Sequence, residues 1–182
     1  MSLPLVKDFI SEDCFALLFI EKPEIPDRIR EAAKKQNLVE KSEFHISTLV
    51  TSNARKVRAV ISQNDLSENL KEKVASLFTS FSWEYSLMNE YFLQENFYTK
   101  EELKESGHPE LPEHTRRTIV QKVNIPDMSL FYEGLSDMLK TSFDLPIAHI
   151  TLFSWSDYNP LMMRGIGVSS EEDFRKYSKG KL

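Results

Sequence analysis

Two stretches of this 182-residue chain repeat one arrangement of reactive side chains, His45-Ile46-Ser47 and His149-Ile150-Thr151. Each lies in a β-branched, apolar run, EFHISTLVT at 43–51 and IAHITLFSW at 147–155, of the composition strands favour. Alternate residues of a strand share a face, and residues two apart lie about 6.6 Å apart along it. His45 and Ser47 therefore point one way while Phe44, Ile46 and Thr48 point the other. His149 and Thr151 likewise oppose Ala148, Ile150 and Leu152. Each strand pairs an imidazole with a hydroxyl on one side and carries an apolar anchor on the other. A single strand histidine reads as a core imidazole bonded to neighbouring backbone; two in the same pattern read as a site. Two opposed imidazoles suit phosphoryl chemistry on a diester. A neutral one accepts a proton from the attacking water or hydroxyl, and a protonated one donates to the leaving oxygen. Histidine fits because its ordinary pKa of about 6.5 permits either form near neutrality. Ser47 and Thr151 would donate to the non-bridging oxygens, where charge accumulates. Neither role calls for a metal or another cofactor.

These strands need elements to hold them. Residues 14–21 (CFALLFIE) form a short apolar run that suits a buried strand. EIPDRIREAAKKQNL is helical, with Ile29, Ala32 and Ala33 on one face and Asp27 able to cap the first turn or face the positive end of the dipole. The spacing of Leu66, Leu70, Val74, Leu77 and Phe81 predicts a helix over 66–81, and 83–94 reads as a strand. Residues 99–116 are polar, with Gly107, Pro109 and Pro112, and read as a loop or lid with one helical turn at 100–105. A strand at 117–125, an amphipathic helix over Asp127–Thr141 and the second histidine strand follow. Leu130, Phe131, Leu135, Met138 and Leu139 are the expected buried set of that helix. The tail holds an edge strand at RGIGVSS and then a charged helical turn.

The order contains an echo. Ile25-Pro26-Asp27 opens one helix and Ile125-Pro126-Asp127 opens the other, and each helix leads to a histidine strand. Eighteen residues separate Asp27 from His45, and twenty-two separate Asp127 from His149. IPD alone is a common helix-opening tripeptide. With the histidine strands matching in order, a duplication of strand–helix–strand units is the favoured reading.

FHIS at 44–47 and AHITLF at 148–153 resemble the paired His-x-Thr/Ser motifs of the two-histidine (2H) phosphoesterase superfamily. That superfamily includes bacterial RNA 2′,3′-cyclic phosphodiesterases, also called 2′-5′ RNA ligase-like proteins. The resemblance implies an α+β fold: one bilobed domain over 1–182, with pseudo-symmetric strand–helix–strand lobes whose sheets line a central cleft. The first lobe would cover about 14–81 and the second about 117–155, with 99–116 as a polar insert. It also implies metal-independent hydrolysis of a cyclic phosphodiester. Carried over by motif, His45 and His149 are the acid–base pair, and Ser47 and Thr151 the phosphate ligands. The first motif has Ser where Thr is commoner, which retains the hydroxyl. The insert is longer than a minimal connection and could reshape or cover the substrate mouth.

Composition narrows the partners. The formal charge of −5 disfavours tracking along duplex nucleic acid, which relies on many Lys and Arg contacts to phosphate. A small nucleotide or one RNA end in a local pocket remains compatible. The single cysteine, Cys14, permits no intrachain disulfide and no cysteine-based zinc cluster, and its place in a buried run argues against a reactive thiolate. With no signal-like N-terminus and no apolar run long enough for a bilayer, a cytoplasmic protein without membrane association is expected.

Arg117, with Arg116 and Lys122, is the densest basic set near a predicted cleft strand and could touch phosphate or form a solvated face. Arg164 is a weaker case of the same kind. Tyr158 and Trp155 follow the second motif and could stack on a base or pack at the strand end. His108 and His114 read as part of a polar loop rather than a metal site, and Gly165-Ile166-Gly167 as an aid to tight strand packing. Three functions stand: a 2H-type phosphoesterase; a nucleotide- or RNA-end-binding module without turnover on the same fold; and an interaction protein in which the histidines are incidental.

Overall fold

The computed structural model describes residues 5–7, 16–63, 67–105, 108–158 and 165–182. Cys14, Leu66 and Arg164 lie outside them. The fold is α+β. One antiparallel sheet contains strands β1 (Leu5–Lys7), β2 (Ala16–Ile20), β3 (Val39–Glu40), β4 (Phe44–Leu49), β5 (Ser86–Tyr98), β6 (His114–Asn124), β7 (His149–Ser156) and β8 (Ser178–Lys181). Their order across the sheet is β1-β2-β4-β7-β6-β5-β8, with β3 also paired to β7. The expectation of separate sheets lining a cleft is corrected here. The two histidine strands pair directly, so the sheet runs continuously through them.

Helices α1 (Asp27–Lys35), α2 (Thr51–Ser62), α3 (Ser67–Thr79) and α5 (Asp127–Leu139) contribute to the main core. They supply Ile29 and Ala33 from α1, Ala54, Val57 and Ile61 from α2, Val74 and Phe78 from α3, and Phe131 and Leu135 from α5. Ile46, Ile150 and Leu152 belong to the same core and are fully buried. Trp83 ties α3 to the aromatic packing. Its indole donates to the Phe78 carbonyl at 2.8 Å, and its ring centroid lies 5.2 Å from that of Phe131. Both Asp residues of the IPD tripeptides open their helices, and neither helix has a side-chain cap on its N-cap proline. Asp127 instead accepts a hydrogen bond from Ser82 at 3.0 Å. On α5, Leu130 is 53% exposed, and Met128 and Tyr132 complete the buried face in its place.

Several boundaries differ from expectation. Residues 51–62, unassigned from sequence, form α2, whose Asn53, Ala54, Val57 and Ile61 recur at helical spacing. The polar segment is shorter as a loop than expected. The helical turn expected at 100–105 is helix α4 (Lys100–Glu105), while β6 begins at His114 rather than at 117. The charged tail forms α6 (Glu171–Tyr177), capped by Ser170 accepting from the Asp173 amide, and then the edge strand β8. The edge strand expected at RGIGVSS is not formed by residues 165–169; β8 takes that place against β5. Among the described residues, no helix is long and apolar enough to cross a membrane.

Candidate functional site

The register across the centre of the sheet decides what the histidines can do together. Ile46 pairs with Ile150, which sets His45 opposite Thr151 and Ser47 opposite His149. Both isoleucines point into the core, so all four polar residues emerge on the other face. Each is half-buried, where Ile46 and Ile150 are fully buried. The imidazoles occupy one diagonal of a rectangle and the hydroxyls the other. Diagonal neighbours on paired strands are about 7–8 Å apart, enough for one phosphoryl group to be reached from both ends. Four residues drawn from positions a hundred apart in sequence thus share one patch.

The two corners differ in their surroundings. At His149, the Nδ1–H donates to the Ile147 carbonyl at 2.7 Å, which leaves Nε2 as the nitrogen presented to the face. Phe174 of α6 stands edge-on to the ring, with centroids 6.2 Å apart. Phe174 also joins Val120 and Val168 in a second apolar cluster that walls this side. At His45, Nδ1 is buried and has no hydrogen-bond partner among the described residues. Phe19, its register partner on β2, tilts against it at 5.9 Å.

Burial lowers the pKa of both rings. For His45, the positive charges of Lys41 and of protonated His149 lower it further, and the Glu43 carboxylate acts the other way. For His149, the Ile147 carbonyl opposes the effect of burial by stabilising the imidazolium. Lys41 is itself pushed down by burial, and its amide donates to the Leu152 carbonyl at 2.9 Å, beside Thr151.

The other sequence candidates fall elsewhere. Strand alternation from Val120, which pairs with Thr151, puts Arg117 and its register partner Trp155 on the opposite face from the histidines. There Arg117 bonds Glu95 and lies over the Trp155 ring at 5.3 Å. Tyr158 is beyond the end of β7, 48% exposed, with its ring 6.0 Å from that of His114. Neither is brought to the quartet. Lys122 is the register partner of His149, and its ammonium sits over Phe92 and Phe174 at 5.1 and 5.2 Å.

Arg116 lies on the histidine face, two rows from Thr151, and is 7% exposed. His114, expected in a polar loop, is a buried strand residue. Among the described residues, no three His, Cys, Asp or Glu side chains are grouped to hold a metal ion. Phe19, Lys41 and Phe174 were not singled out from sequence. Of these, only Phe19 had a sequence signal, because its strand leads into the first helix of the echo.

A groove of about 410 Å³ opens between α5 and residues 143–145. Its Tyr132 hydroxyl, pushed up to about 12 by burial, donates to the Thr48 carbonyl at 2.9 Å and accepts from Asn53. That hydroxyl fastens α5 to β4. Compared with known proteins, the chain matches no family model, no curated protein and no solved structure.

Proposed function

We propose that the chain is a metal-independent phosphoesterase that hydrolyses a 2′,3′-cyclic phosphate or a related nucleotide or RNA-end phosphodiester. The observation that carries this reading is the diagonal pairing of His45 with His149 across a rectangle completed by Ser47 and Thr151. In the reaction, water attacks phosphorus and passes its proton to one imidazole. The bond to the leaving ribose oxygen breaks as the other imidazole donates a proton to that oxygen. The two hydroxyls donate to the non-bridging oxygens.

Burial pushes both rings down, so near neutrality either can act as the base, and the other takes up a proton to act as the acid. The strand order supports the duplication: β2-α1-β4 and β6-α5-β7 meet at β4 and β7, with their outer strands on either side. On this reading the chain is bilobed and pseudo-symmetric, and the lobes share a sheet. The site's partner is a small nucleotide or an RNA end met in the cytoplasm.

The test is hydrolysis of the four nucleoside 2′,3′-cyclic phosphates in the presence of chelator, with products identified by phosphorus NMR. Turnover by the wild type and its loss in His149→Ala support the reading. Turnover unchanged in the His45→Ala/His149→Ala double variant rules it out.

Burial of both rings favours one second reading. Two neutral imidazoles and two hydroxyls make a phosphate-binding site without an acid. A nucleotide- or RNA-end-binding module would then bind 2′- and 3′-nucleotides while leaving every cyclic substrate intact.

A further inference from the structure

We propose that Arg116 and Gly165 are positioning residues that set the direction of the Thr151 hydroxyl. The proposal rests on the phosphoesterase reading, in which that hydroxyl binds the phosphoryl oxygens. A Cβ at residue 165 would lie 2.8 Å from Thr151 Oγ1 and 3.7 Å from its Cβ. A side chain at 165 would therefore collide with the hydroxyl, and its absence leaves Thr151 Oγ1 the place it occupies. Space is what requires glycine here.

The contact is held from its other side by Arg116. One guanidinium nitrogen of Arg116 donates to the Gly165 carbonyl at 2.8 Å. A second donates to Nε2 of His114 at 3.1 Å. Nε2 can accept because the Nδ1–H of His114 donates to the Pro112 carbonyl at 2.8 Å. The Tyr98 ring supports the guanidinium from a third direction, 4.7 Å away, and stacks on His114 with centroids 5.2 Å apart.

The planar fork of an arginine spans two acceptors at a fixed angle, which a lysine ammonium does not reproduce. The assembly therefore has a direction: β5 and β6 fix Arg116, Arg116 fixes the Gly165 carbonyl, and Gly165, having no side chain, leaves Thr151 Oγ1 its place.

The experiment is a pair of double-mutant cycles on the full chain, with cytidine 2′,3′-cyclic phosphate as substrate and 3′-CMP binding as a second readout. Arg116→Lys is combined with Thr151→Val, and so is Gly165→Ala. In the wild-type background, Arg116→Lys and Gly165→Ala are each expected to lower kcat by about tenfold to a hundredfold, the scale of a small misplacement. KM is expected to stay within about twofold, as when an interaction made in the transition state is lost. In the Thr151→Val background, where the hydroxyl is already gone, neither is expected to lower kcat further. Losses that multiply in the double variants overturn the positioning role, as do losses confined to thermal stability. Wild-type protein that turns over with multiplying variants sinks this inference alone. Wild-type protein that neither turns over nor binds 3′-CMP sinks the phosphoesterase reading together with it.

Discussion

The His45 and His149 corners are built from the same three-residue pattern, yet they are not equivalent. His149 is tied through Nδ1 to the Ile147 carbonyl and walled by Phe174. His45 has a buried Nδ1 without a partner among the described residues, and the Lys41 charge acts on its ring. The hydroxyls differ as well: a Cβ added at Gly165 would come within 2.8 Å of Thr151 Oγ1, and Thr151 carries a γ-methyl that Ser47 lacks. Matching sequence thus secures matching position, while the neighbours set each group's protonation and freedom. In the proposed reaction this asymmetry is useful, because hydrolysis needs one imidazole neutral and the other protonated.

The comparison breaks most easily at the histidines. Replacing either with Ala is expected to lower kcat/KM for a nucleoside cyclic phosphate by about 10²–10⁴, with little further loss in the double variant. Steady-state kinetics decides this, and multiplying losses would show that the rings do not act as a unit. The hydroxyls come next. Thr151→Val is expected to cost about 10²–10³ in kcat, on the scale of losing one transition-state donor. Ser47→Ala is expected to cost less, because a serine side chain, without the γ-methyl of threonine, is freer about χ1. Equal losses would show that this difference in freedom does not matter to turnover.

The pH profile sharpens the comparison. Activity rises with pH as the base loses its proton, and falls as the acid loses its own. Both rings are held below the ordinary histidine value by burial. The kcat/KM bell of the free protein is therefore displaced to the acid side of a histidine pair in water. Binding of an anionic substrate favours both imidazolium forms, so the kcat bell should lie at higher pH than the kcat/KM bell. Coincident bells centred on the ordinary value would contradict the burial described for both sites.

Two smaller effects test the frame. Ile46→Ala or Ile150→Ala empties a fully buried position at the strand junction. Each is expected to cost about 2–5 kcal/mol in urea unfolding. Arg117→Ala removes a half-exposed ion pair on the far face and is expected to cost at most about 1 kcal/mol, with turnover unchanged. A large loss of turnover in that variant would mean the face assignment is wrong.

How much was legible beforehand follows from periodicity. The alternation in FHIST and AHITLF placed each histidine with its hydroxyl, and the spacings in α1, α3 and most of α5 marked their buried faces. Leu130 misled because an apolar residue at the margin of a helical stripe is as easily exposed as buried. Helix α2 was missed although Ala54, Val57 and Ile61 carry the period, because the polar residues TSN and RK dominate the segment. Arg117 and Tyr158 were chosen by nearness in sequence. Register and alternation then put the first on the far face and the second beyond the strand end.

The amino-acid order by itself determined which side chains travel together along each strand and helix, since those periods are properties of local backbone geometry. Only the tertiary structure decided that Ile46 meets Ile150, that Gly165 lies on Thr151 and that Phe174 closes one side. Each of those contacts joins segments far apart in the chain. Such contacts depend on how several apolar faces bury one another at once, and no local period specifies that result.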